Sequence, residues 1–197
     1  SLDGHADDVA ALLDALGIER AVVGGLSMGG YIAFAFWRRH RARAAALVLA
    51  DTRAGADSEE GKSKRRTMIA DARSHGPGAV ADAMMPNLLG ATTHARRPEV
   101  VKEVRAICER APVPGIVAAL EGMMGRPDST PSLATIDVPV QIIVGEEDTL
   151  TPPRESEAMH AAIRGSRLAV IPKAGHASNV ERPAAFNHVL AEFLRTV

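Results

Sequence analysis

The chain of 197 residues contains a single cysteine, so no internal disulfide can form, and its histidines never fall near that cysteine at zinc-site spacing. Aromatic residues are scarce at 3%, which gives little basis for recognising an aromatic ligand by stacking. There is no charge bias: 23 Lys and Arg stand against 24 Asp and Glu, and the longest like-charge run is Lys64-Arg65-Arg66. Nucleic acid and membrane surfaces are therefore poor partners, and a small or neutral molecule fits better. No apolar run approaches the roughly 18 residues of a membrane span, and the opening SLDGHADD is acidic where a targeting segment would be basic. A cytoplasmic protein is expected, with neither repeats nor low-complexity tracts. Its core must come from burial alone, and the length suffices for one domain.

What is present is a rhythm of short apolar runs and longer amphipathic ones. Val9, Leu12, Leu13 and Leu16 follow helical spacing up to Gly17, which predicts an opening helix. AVVGG (21–25) reads as a buried strand, SMGGYIAFAFWRRHR (27–41) as a helix and AALVLA (45–50) as a second strand. The pattern resumes with strand VPVQIIVG, a helix opening on Pro152-Pro153, strand RLAVIP and a last helix from Arg182. Two uninterrupted apolar strands separated by a helix, with the strand-helix alternation resuming later, predict an α/β fold with a mostly parallel sheet covered on both faces. From 53 to 131 no strand is evident, and helices are expected at 58–74, 77–85, 98–110 and 114–124. This divides the chain into a core of 1–52 and 132–197 and a helical insertion of 53–131. Cys108 shares a helical face with Val100, Val101, Val104 and Ile107, and reads as a small core residue.

Gly25-Leu26-Ser27-Met28-Gly29 is a G-x-S-x-G sequence between a strand and a helix. Such a turn strains the serine and lifts its oxygen above the sheet, over a helix N-terminus whose free N–H groups face a developing oxyanion. The N–H of Met28 is the best placed of these. A tight packing turn or a phosphate-binding turn would carry the same glycines. A nucleophilic serine needs a base, and the base needs an acid to hold it. Asp148 follows strand VPVQIIVG and His176 follows RLAVIP, so both fall at carboxyl ends of strands, where open parallel sheets place their sites. Asp51 also ends a strand, and Glu146 and Glu147 crowd the loop of Asp148. Of the other histidines, His40, His160 and His188 lie in polar parts of helix patterns, His75 and His94 in the insertion, and His5 in the opening helix.

The order Ser, Asp, His resembles that of the α/β-hydrolase superfamily. The stretches GLSMGGYIA, LVLADTRA, the run from Gly122 to Pro153 and AGHASNVERP are similar to those of 3-oxoadipate enol-lactonase and its esterase relatives. The resemblance implies Ser27 as nucleophile, His176 as general base and acid, Asp148 as its orienting carboxylate and Met28 N–H as an oxyanion donor, with no cofactor or metal and with the insertion of 53–131 in the place of a helical cap. It implies a serine hydrolase of small esters or lactones, and a serine here argues against relatives that attack with aspartate. A C–C bond hydrolase, thioesterase or perhydrolase uses the same trio, and a ligand-binding or inactive relative retains the same pocket.

Arg53, Arg126, Met123 and Met124 are candidate substrate contacts: the arginines for a carboxylate by forked hydrogen bonds, the methionines as an adaptable apolar wall. Either arginine would equally serve to tie a cap to the sheet. Family members have strands before the opening helix, and a loop among them supplies a second oxyanion donor. The sequence begins at Ser1 without those strands, so an incomplete chain or a complementing second polypeptide is expected. The edge of AVVGG is then open to an N-terminal segment or to a second copy in a homodimer.

Overall fold

The computed structural model describes residues 1–197, and the expected strands line up in sequence order. β1 (Ala21–Leu26), β2 (Ala44–Ala50), β3 (Val140–Gly145) and β4 (Arg167–Ile171) form one wholly parallel sheet in the order β1-β2-β3-β4. The register runs Gly25 to Leu49 to Ile142 to Leu168, so the carboxyl ends of all four strands open on one side. β3 is buried along its whole length, Gln141 included, and all of β2 but Ala45 is buried, which is why β2 reads as a continuous apolar run. β1 alternates in exposure and has no partner on its outer edge.

Helices cover both faces. α1 (Leu2–Ala15), α2 (Met28–His40) and α8 (Pro153–Ala162) pack on one, where Phe34, Phe36, Leu47, Leu49, Ile142 and Met159 form the main core. Phe186 and Phe193 of α10 (Pro183–Leu194) fill the other with Val48 and Ile143. No helix is long and apolar enough to cross a membrane.

α1 begins where Ser1 Oγ accepts from Gly4 N and ends at Gly17, whose φ of +66° lets Ile18 N–H bond back to Leu13. Its buried face differs from the expected one. Leu2, Ala6, Ala10 and Leu13 face inward, while Leu12 and Leu16 are 57% and 61% exposed. The alanines allow close approach to α2, and that packing outweighs the stronger hydrophobicity of the leucines.

Between β2 and β3 lie α3 (Glu59–His75), α4 (Pro77–Leu88), α5 (Ala91–Arg96), α6 (Pro98–Glu109) and α7 (Val113–Met124). Four of these were expected, and α5 is too short and polar to show periodicity. Two small apolar clusters hold the insertion. One joins Met85 and Leu89 to Val100 and Val104, with Cys108 beside them and burial pushing its thiol up; Ile107, placed on the same face by periodicity, is 50% exposed. The other joins Ile69 to Val117 and Leu120, with Met123 and Met124 against it.

Candidate active site

Ser27 occupies the one residue between β1 and α2, with φ 55° and ψ −113°. This is a conformation that L-residues avoid, and it is held from both sides. Ser27 N–H donates to Ala50 O at 2.9 Å, and Ser27 O accepts from Thr52 Oγ1 at 2.9 Å. Close passage of strand and helix depends on Gly25, where a Cβ would enter the backbone of Gly29, and on Gly30, where it would strike Thr52. A Cβ at Gly29 meets nothing, so the second glycine of the sequence signature is not the one the packing requires. Met28 opens α2, and its N–H belongs to the first turn, which has no acceptor within the helix.

His176 and Asp148 come to this serine from the loops after β4 and β3. His176 Nε2 lies 2.8 Å from Ser27 Oγ, and His176 Nδ1 lies 2.8 Å from Asp148 Oδ2. An ionised carboxylate only accepts, so Nδ1 carries the ring proton and Nε2 is left as acceptor for the serine hydroxyl. Asp148 Oδ1 accepts from Leu150 N and Thr151 N at 2.8 and 3.0 Å, and Thr151 Oγ1 donates to Oδ2 at 2.7 Å. Burial pushes this carboxyl up, but the bonds from His176 and Thr151 outweigh it and hold it below the usual range. Both His176 and Asp148 are buried.

Asp51, the competing acid, makes no hydrogen bond to the imidazole. Its Oδ1 accepts from Gly145 N at 2.8 Å and its Oδ2 accepts from Ser178 Oγ, so it ties the end of β3 to the base loop. Burial pushes its carboxyl up to about 7, against the opposing bonds from Ser178 and Gly145. Its own backbone is strained at φ 44°. Glu147 accepts from Thr92 N at 2.8 Å and from Thr92 Oγ1, while Glu146 accepts from Lys173 N at 2.9 Å. Glu147 therefore reaches the insertion, and Glu146 the base loop.

The structure brings Arg53 and Arg126 together on Asp57, a buried acid the sequence did not single out. Arg53 Nη2 is 2.8 Å and Arg126 Nη2 3.0 Å from its Oδ1, and Arg65 Nε approaches Oδ2. Arg126 also donates to Gly55 O and Met123 O and lies 4.0 Å over the ring of Tyr31 in α2. No hydrogen bond links either arginine to Ser27 or His176. Nothing in the sequence marks Asp57, Thr151 or Glu181 as buried, because each looks like an ordinary polar loop or helix residue.

A parallel sheet with a serine, an aspartate and a histidine joined at three strand ends is the arrangement of a nucleophile-elbow hydrolase fold. The family described as alpha/beta hydrolase fold matches residues 1–183, and the chain belongs to it. A thermophilic esterase from Thermogutta terrifontis is 43% identical with a TM-score of 0.96, over 100% of this chain and 72% of that one. The enol-lactonase from Burkholderia xenovorans is 32% identical with a TM-score of 0.89, over 99% and 73% of the two chains. In sequence, 3-oxoadipate enol-lactonase 2 of Acinetobacter baylyi is 28% identical over 98% of this chain and 71% of its own.

Proposed function

We propose that the chain cleaves a small carboxylic ester or lactone, without a cofactor, through an acyl-enzyme on Ser27. It is a carboxylic ester hydrolase by its family and by the esterases and enol-lactonases it matches along nearly its whole length. The observation that carries the mechanism is the continuous chain from Ser27 Oγ through His176 to Asp148, with both links at 2.8 Å.

As Ser27 Oγ attacks the carbonyl carbon, His176 Nε2 takes its proton, and the carbonyl oxygen becomes an alkoxide facing the N–H of Met28. His176 then returns the proton to the leaving oxygen as the C–O bond breaks. In a lactone that oxygen stays attached to the acyl chain. Water, deprotonated by the same nitrogen, attacks the acyl carbon; the bond from that carbon to Ser27 Oγ then breaks, Nε2 returns the proton to Oγ, and the acid leaves. Asp148 stays ionised throughout and stabilises the imidazolium.

Residues 53–131 act as the cap over this site. Of the four expected substrate contacts, Arg126 is assigned to holding the cap, since its guanidinium is engaged by Asp57, Gly55 O and Met123 O. Arg53 also pairs with Asp57 but keeps part of its side chain exposed, and remains the candidate for a substrate carboxylate. Met123 and Met124 remain the candidate apolar wall.

The test is hydrolysis of short p-nitrophenyl esters together with labelling by a fluorophosphonate, for the chain and for Ser27→Ala. Turnover is expected to fall by about 10⁴-fold or more and labelling to vanish. Unchanged ester turnover in Ser27→Ala would end this reading, and ligand binding without any turnover would favour an inactive relative.

A further inference from the structure

We propose that Glu181 is a positioning residue, which sets the His176 imidazole by clamping the base loop to the insertion; this rests on the serine-hydrolase reading above. Glu181 ends the short helix α9 (Ser178–Glu181) and is fully buried, yet it takes no part in the proton path from Ser27 to Asp148. Its Oε1 accepts from Gly175 N at 2.8 Å, and its Oε2 accepts from Gly90 N at 2.8 Å. Gly175 immediately precedes His176, and Gly90 lies between α4 and α5 of the insertion. One carboxylate thus joins the residue before the base to a point 85 residues earlier in the chain.

The surroundings leave this clamp no slack. A Cβ on Gly175 would enter the backbone of Leu89 and Gly90, and a Cβ on Gly145 would enter that of Ala174 and Gly175. The end of β3, the base loop and the insertion therefore touch backbone to backbone, with no side chain between them to absorb a shift. Ala177 N–H donates to Leu88 O at 3.0 Å on the other side of His176, and Arg97 Nη1 donates to Glu181 O at 2.6 Å. His176 is bracketed by two contacts to residues 88–90, one direct and one made by Glu181.

Both carboxylate oxygens act as acceptors, and a neutral amide cannot reproduce that. In Glu181→Gln the carbonyl oxygen serves one N–H while the amide nitrogen faces the other, so one of the two bonds is lost. A base displaced by about 1 Å costs on the order of 10²-fold in rate while substrate binding is little changed.

The experiment measures kcat and KM for a short p-nitrophenyl ester, well below Tm, in the chain and in Glu181→Gln. It also records ¹⁵N spectra of histidine-labelled protein, which read the His176 ring nitrogens directly. Expected are a kcat lower by about tenfold or more, KM within about threefold, and a change in the His176 signals toward a mixture of tautomers. A lowered Tm with kcat and the ring-nitrogen signals unchanged would overturn the proposal and leave Glu181 a purely structural residue. Should Glu181→Gln fail to fold, Glu181→Asp, one methylene too short to span both amides, is read by the same pair of measurements. If Ser27 carries no chemistry, the failure appears as missing turnover in the parent chain, while the ring-nitrogen signals still report whether Glu181 sets the imidazole.

Discussion

At the scale of single residues, the arrangement around Asp148 separates what the acid does from what it resembles. Four donors surround its two oxygens, and three of them, Leu150 N, Thr151 N and Thr151 Oγ1, come from within three residues of itself. The loop thus fixes the carboxylate before the imidazole arrives, and the imidazole is held in one tautomer as a result. Asp148→Asn keeps the shape but presents an amide N–H to Nδ1, or forces the proton onto Nε2, where it blocks acceptance from Ser27. Turnover of a short ester is expected to fall by about 10⁴-fold with little change in KM. Steady-state kinetics on a variant with an unaltered far-UV spectrum would check this, and a loss of only a few-fold would reopen the assignment of the acid.

At the scale of elements, the turn between β1 and α2 shows which glycines the fold needs. Gly30→Ala drives a methyl into Thr52, whose hydroxyl is already committed to Ser27 O, so the substitution strikes both packing and the strained serine. It is expected to destabilise the chain by about 1–3 kcal/mol and to lower turnover. Gly29→Ala meets open space and is expected to cost almost nothing, with the exchange of glycine for alanine inside a helix a slight gain. Denaturant titrations of the two variants side by side check the contrast; equal destabilisation would contradict it. This contrast also shows what sequence can and cannot convey. The turn, the four strands and the spacing of Ser27, Asp148 and His176 were legible because each depends on local chemistry or on a strand end. The choice between Gly29 and Gly30 was not, because it depends on Thr52, 22 residues away. The inward face of α1 was misread for the same reason: Ala6 and Ala10 are selected by the closeness of α2, and hydrophobicity pointed to Leu12 and Leu16 instead. Asp57 and Glu181 were invisible because Arg65 and Arg126, which close on the one, and Gly90, which closes on the other, come from other elements.

At the scale of the whole molecule, two buried acids join parts of the chain that are distant in sequence, and they give stability opposite slopes with pH. Asp51 links β2, β3 and the His176 loop, and its carboxyl is pushed up to about 7 by burial. The unfolded chain ionises this group near pH 4, whereas the folded one holds the proton to about 7. Its contribution is therefore fully present below pH 4 and is lost as pH rises from 4 to 7. Asp57 links the root of the insertion to Arg126; burial pushes it up, but the bonds from Arg65 and Arg126 prevail and hold it at about 2. Its contribution is present above pH 4 and is lost as pH falls from 4 toward 2. Asp51→Asn, which mimics the neutral acid, should flatten the decline of Tm between pH 4 and 7. Asp57→Asn leaves the buried Arg126 guanidinium without its counter-charge and should cost about 3 kcal/mol or more at pH 7, roughly 6–12 °C in Tm for a chain of this size. It should also flatten the acid limb. Melting curves from pH 2 to 8 on the parent and both variants test the pair at once. If Asp51→Asn left the pH 4–7 slope intact, the carboxyl would have to be ionised in the folded chain at pH 5, with Ser178 Oγ and Gly145 N as the donors that stabilise the buried carboxylate.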